Sequence, residues 1–80
     1  MIVRFFARAK DLAGVESLTL ADSPANVGEL RLLLAERLPD LAPLLAKSAL
    51  AVNNEFADDD TPIPPDAEIA VLPPVSGGIQ

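Results

Sequence analysis

Apolar and polar residues change their period several times along this 80-residue chain, and the changes mark out its elements. Residues 2–7, Ile-Val-Arg-Phe-Phe-Ala, are rich in β-formers. With Arg4 toward water, a period of two sends Val3, Phe5 and Ala7 inward and leaves Ile2 and Phe6 on the side of Arg4. Residues 8–14 are more polar and end in Gly14, which reads as a loop. Glu16-Ser17-Leu18-Thr19-Leu20 alternates again. It predicts a second strand with Leu18 and Leu20 inward, joined to the first as a hairpin. The period then becomes helical: Val27, Leu30, Leu34 and Leu38 recur on one face, with Leu33 on its flank. Asn26 and Glu29 have the spacing of a capping box at the start. Pro39 stops this helix, because a proline disfavours helical geometry in the residue before it. Residues 41–47, with Pro43 near their start, suit a further short helical segment.

Strand periodicity returns at 49–53, with Leu50 and Val52 inward. Asn53-Asn54 suits a turn, since Asn tolerates left-handed geometry. Residues 55–57 read as a short edge strand and 58–66 as a polar, proline-rich loop. Residues 68–72 form the last strand, with Ile69 and Val71 inward. Pro73-Pro74 ends it, because proline has no N–H for the ladder. One main helix covers one sheet face, which gives a two-layer α+β domain. The first and last strands are the most apolar and suit central, neighbouring positions, so the sheet of four to five strands is mixed. That is the layout of a β-grasp, or ubiquitin-like, domain over 1–74, followed by a tail, 75–80, expected to be flexible. The same parity puts Phe6, Ala51, Ala70 and Leu72 on the face without a helix. An exposed Phe and Leu near the base of the tail suggest a docking patch.

Composition narrows the chemistry. The chain has no Cys, His, Tyr or Trp. It therefore lacks the commonest general base, the commonest metal ligand and a thiol nucleophile, and is not expected to be catalytic alone. No metal site is expected: Asp58-Asp59-Asp60 lacks the spacing and the glycine of an EF-hand loop. Twelve acids against six bases leave a net charge of −6. That speaks against nucleic acid and anionic membranes as partners. It fits either plain solubility or a partner with a basic face. No apolar run reaches a membrane span and no secretory leader precedes the first strand, so a cytoplasmic location is expected.

The tail is the most specific stretch. Pro73-Pro74-Val75-Ser76-Gly77-Gly78 is followed by Ile79-Gln80. The prolines stiffen the arm and reduce the entropy lost on docking. Glycines pass where side chains do not fit, as in a narrow channel. From Pro74 to Gly78 the arm reaches about 16 Å when extended.

These residues resemble the MoaD/ThiS sulfur-carrier family, above all the small subunit of molybdopterin synthase. The resemblance rests on Val3-Arg4-Phe5-Phe6-Ala7, Leu12-Ala13-Gly14, Leu50-Ala51-Val52-Asn53, Asp60-Thr61-Pro62 and the run from Glu68 to Gly78. It implies a carrier that binds no cofactor. Its Gly78 carboxylate is adenylated with ATP by a ubiquitin-activator-like enzyme and then thiocarboxylated by a sulfur donor. With Gly77 it threads into the large synthase subunit, a MoaE-like protein, and donates sulfur to a cyclic pterin precursor. Phe6, Ala51, Ala70, Leu72, Pro73, Pro74, Val75 and Ser76 are the expected partner contacts. Family members usually end at the second glycine. Ile79 and Gln80 imply trimming by a peptidase, an artificial extension, or loss of the carrier role. Alternatives are sulfur delivery to thiazole, cysteine or another metabolite, or a ubiquitin-like interaction module or tag.

Overall fold

A computed structural model describes residues 1–74; Val75, Ser76, Gly77, Gly78, Ile79 and Gln80 lie outside the described residues. The elements are β1 (Ile2–Phe5), α1 (Ala7–Ala13), β2 (Ser17–Thr19) and α2 (Val27–Arg37). A 3₁₀ turn (Pro39–Leu41) leads into α3 (Ala42–Leu45), and β3 (Ala49–Val52), β4 (Glu55–Ala57) and β5 (Glu68–Leu72) follow. The sheet order is β2-β1-β5-β3-β4. β1 and β5 run parallel, with Val3 opposite Ile69 and Phe5 opposite Val71; the other three pairings are antiparallel. The sheet is mixed and the first and last strands are neighbours inside it, as the sequence predicts. Val3, Phe5, Leu50, Val52, Ile69 and Val71 face the helical layer and bury against Val27, Leu30, Leu34, Leu41 and Leu45.

One expectation fails. Residues 8–14 are not a loop: Ala7 to Ala13 form α1, so β1 and β2 pair antiparallel but are joined through a helix rather than a tight hairpin. Ala7 is exposed with φ 51°, and Ala9 takes the inward place expected of Ala7. The residues explain the difference. Ala-Arg-Ala-Lys-Asp-Leu-Ala is made mostly of strong helix formers. Seven residues with one buried side chain, Ala9, are too short to show an apolar stripe. Gly14 closes α1 at φ 79°, donating its N–H to the Lys10 carbonyl, which is the left-handed cap that glycine adopts most readily.

The start of α2 is fully provided for. Asn26 Oδ1 accepts from the Glu29 N–H at 2.9 Å, and Glu29 reaches back to the N–H of Ala25 at 3.1 Å. The loop after β4 supplies two more acceptors: Thr61 O for Val27 N (3.1 Å) and Asp59 O for Gly28 N (2.9 Å). At the other end Leu38 sits at φ −130°, ψ 73°, outside the helical region that Pro39 disfavours for the residue before it. Asn53 and Asn54 have φ 50° and 72°, a two-residue turn with both residues left-handed, which suits a right-twisted hairpin. Asn53 also tacks β3 to β5, donating its N–H to Glu68 O and accepting from Glu68 N through Oδ1.

Arg31 joins three elements. From α2 its guanidinium donates to the carbonyls of Leu45, the last residue of α3, and of Ser48, just before β3, and to Asp59 Oδ1 at 3.1 Å. A cation there satisfies orphan carbonyls and opposes the helix dipole. Its side chain is 21% exposed, so screening is partial. Arg31→Met should lower stability by about 2 kcal/mol in urea unfolding, and Arg31→Lys should recover little, because a lysine cannot fork between the acceptors. Full recovery by lysine would show that charge alone matters.

Candidate functional site

β5 leads directly to Pro73 and Pro74, and β5 lies inside the sheet rather than at an edge. Its parallel neighbour β1 ends at the same side of the molecule, and its antiparallel neighbour β3 begins there, with Ala49 opposite Leu72. The arm therefore leaves from the middle of a sheet edge formed by strand ends. Phe6 follows β1 with extended backbone (φ −125°, ψ 153°), which carries the strand alternation one residue further. Phe6 and Leu72 thus come together at the root of the arm, on the face away from α2.

That face holds a cross-strand row. Arg4 is opposite Ala70, Ala70 opposite Ala51, and Ala51 opposite Phe56. Phe6 is 44% exposed and Phe56 78%. Ala70 and Leu72 are half-buried, and Ala51 is only 5% exposed. Ala51 points away from the helices as expected, yet its small methyl, between Ala70 and Phe56 on the neighbouring strands, is almost wholly covered. An ion pair between Arg4 and Glu68 borders the row. The surface is apolar, shallow and open, suited to a protein partner and not to enclosing a small molecule. Pro73 is half-buried and Pro74 exposed. The expected contacts Val75 and Ser76 and the carrier glycines Gly77 and Gly78 lie outside the described residues.

Phe56 escaped the sequence reading. The signal was present: a two-residue turn at Asn53-Asn54 sets Val52 opposite Glu55, so Phe56 must share the face of Ala51. The acidic run also acquires definite uses. Asp58 accepts from the Thr61 hydroxyl at 2.9 Å and Asp59 holds Arg31. Among the described residues, no group of three His, Cys, Asp or Glu side chains could hold a metal ion. No described helix is long and apolar enough to cross a membrane.

The fold and site define a class: a ubiquitin-like β-grasp domain whose central last strand runs into a proline-braced arm that carries a Gly-Gly pair. The chain belongs to the ThiS family, whose model matches residues 3–78 and so reaches Gly78 while leaving out Ile79 and Gln80. It is 36% identical over 78 residues to the molybdopterin synthase sulfur carrier subunit of Arabidopsis thaliana, covering 95% of this chain and 80% of that one. It is 35% identical over 81 residues to the human protein of the same description, covering 95% and 91%. Among solved structures it resembles SAMP1 from Haloferax volcanii, with a TM-score of 0.80, 26% identity, and coverage of 96% and 97%. It also resembles a chain in the complex of subunits 1 and 2 of molybdopterin-converting factor from Helicobacter pylori, with a TM-score of 0.69, 31% identity, and 96% coverage of both chains.

Surface and core aromatics should separate in stability. Phe5→Ala should cost about 3–4 kcal/mol through the cavity it leaves, while Phe56→Ala should stay within about 0.5 kcal/mol. Chemical denaturation measures both; a large loss at Phe56 would make the open face part of the core instead of a contact surface.

Proposed function

We propose that this chain is a molybdopterin synthase sulfur carrier subunit, acting in the cytoplasm as the non-catalytic sulfur-donor half of a sulfurtransferase complex. The observation that supports it most is the family match running through Pro73-Pro74-Val75-Ser76-Gly77-Gly78, with this arm attached to a central strand.

A free glycine carboxylate is a poor electrophile, because its charge is delocalised over both oxygens. An adenylating enzyme related to ubiquitin activators joins the Gly78 carboxylate to AMP, with pyrophosphate leaving from ATP. The terminal sulfur of a persulfide donor attacks the carbonyl and AMP departs. Thiol reduction of the resulting acyl disulfide frees the thiocarboxylate. The arm then enters a large synthase subunit, the counterpart of subunit 2 in the Helicobacter pylori complex. Sulfur passes there to cyclic pyranopterin monophosphate, and the carboxylate returns. ATP is bound by the activating enzyme and the carrier binds no cofactor. The carrier supplies reach, a stiff root at Pro73-Pro74, side-chain-free passage at Gly77-Gly78 and an open face led by Phe6, Ala51, Phe56, Ala70 and Leu72.

Ile79 and Gln80 follow Gly78, so its carboxyl is held in a peptide bond and an Ile side chain would enter the channel. A peptidase that removes them completes the carrier. A chain ending at Gly78 should be adenylated, and a chain ending at Gln80 should not; ATP–pyrophosphate exchange with the activating enzyme reads this directly. Equal exchange by both forms would sink the trimming step.

The likeness to SAMP1, a small archaeal modifier protein, favours a second reading, in which a lysine amine attacks the same acyl adenylate. Intact mass of the protein from its native host separates the two. Replacement of one oxygen by sulfur at Gly78 supports the carrier, whereas recovery only as isopeptide conjugates supports the modifier.

A further inference from the structure

The six bases of the chain are unevenly used. Arg4, Arg31 and Arg37 are held by the carboxylates of Glu68, Asp59 and Asp22. The remaining three are Arg8 and Lys10 on α1 and Lys47 just after α3. Arg8 and Lys47 line one cleft of about 430 Å³ together with Pro74, the root of the arm. Among the described residues that line it, Asp40 is the only acid, so these side chains bring two positive charges and one negative, a local net of +1 in a chain of −6. Its floor is apolar: Leu12, 40% exposed, with Pro43 and Leu44.

We propose that this cleft seats an acidic, apolar-tipped segment of the large synthase subunit, beside the channel that receives the arm. The assignment rests on the sulfur-carrier reading above and adds a contact to it. Three considerations select this occupant. A carboxylate is repelled by most of a surface carrying twelve acids and attracted to the cleft, so the charges orient the encounter. The apolar floor takes a side chain beside that carboxylate, as an ion alone would not require. A nucleotide or pterin phosphate would leave the apolar lining unused, and the arm's reach of about 16 Å from Pro74 when extended lets its reacting end act beyond the cleft. The cleft thus reads the rim of the channel and not its cargo. It also reverses the simplest expectation from net charge, a uniformly basic partner: the surface facing the arm's root carries acid.

The experiment measures binding of the full chain to the large synthase subunit from the same source, by calorimetry. Arg8→Gln and Lys47→Gln each remove one positive charge from exposed positions. Thr19→Glu makes the same net change at the opposite end of the sheet, where Thr19 is paired with Ile2. At about 50 mM salt, where screening is weak, each single Gln variant should bind about threefold more weakly and the double variant about tenfold, while Thr19→Glu, which matches a single variant in net charge, should lose less than about 1.5-fold. The difference should shrink severalfold at about 500 mM salt. An unchanged affinity of the double variant overturns the assignment, as does a loss with Thr19→Glu equal to that of a single Gln variant, which would make net charge the whole effect. A loss confined to the adenylating enzyme moves the cleft to that partner and also overturns it. No binding by the unaltered chain would remove the sulfur-carrier reading itself, an outcome distinct from the others.

Discussion

The parallel pairing of β1 with β5 is the constraint on which the rest of the structure depends. It brings residues 2–5 beside residues 68–71, so the two ends of the domain meet in its centre. Contacts so distant in sequence are expensive in loop-closure entropy and form late unless burial rewards them. The reward is visible in the side chains: Val3, Phe5, Ile69 and Val71 are all buried. Each contributes about 1.5–3 kcal/mol by leaving water. Pairing in parallel also sends β1 and β5 out at the same side. The arm consequently leaves from the interior of the sheet, with Phe6 and Leu72 beside its root.

The two faces of the sheet then do different work. The inner face is closed by α2 and the short α3, and polar groups hold that layer in place. Arg31 is the main fastener, since one guanidinium reaches the end of α3 and the loop after β4. That loop in turn caps the start of α2 through the carbonyls of Asp59 and Thr61. Asp59 therefore acts twice, by side chain and by backbone, in a run of acids that composition alone suggests is only solvated. The outer face has no such cover. Its row from Arg4 through Ala70 and Ala51 to Phe56 stays shallow and apolar, as suits a large protein surface.

Much of this was legible beforehand, for identifiable reasons. The long helix announces itself through a three-to-four-residue leucine period, an Asn26–Glu29 cap and a proline stop. Strands β3 and β5 follow from short apolar runs bounded by Asn-Asn and Pro-Pro, and β4 from the turn that precedes it. α1 was hidden because its single inward residue, Ala9, is small and its neighbours Phe5 and Phe6 extend the strand signal toward it. Phe56 was overlooked although the turn before it dictates its face, because a three-residue edge strand carries little pattern. The partnering of Arg31 was not legible, since its acceptors are two backbone carbonyls and an acid 28 residues away.

The sequence by itself determined the layered β-grasp class, the inward set of apolar residues and the proline-braced glycine arm. These depend on local periodicity and on backbone chemistry that one residue imposes on the next. Only the tertiary structure decided which surfaces meet. It set Arg8 and Lys47 around Pro74, left the other arginines paired, and placed Phe56 in line with Ala51 and Ala70. Such placements depend on strand order and on contacts between elements far apart in the chain, where no local spacing carries the information.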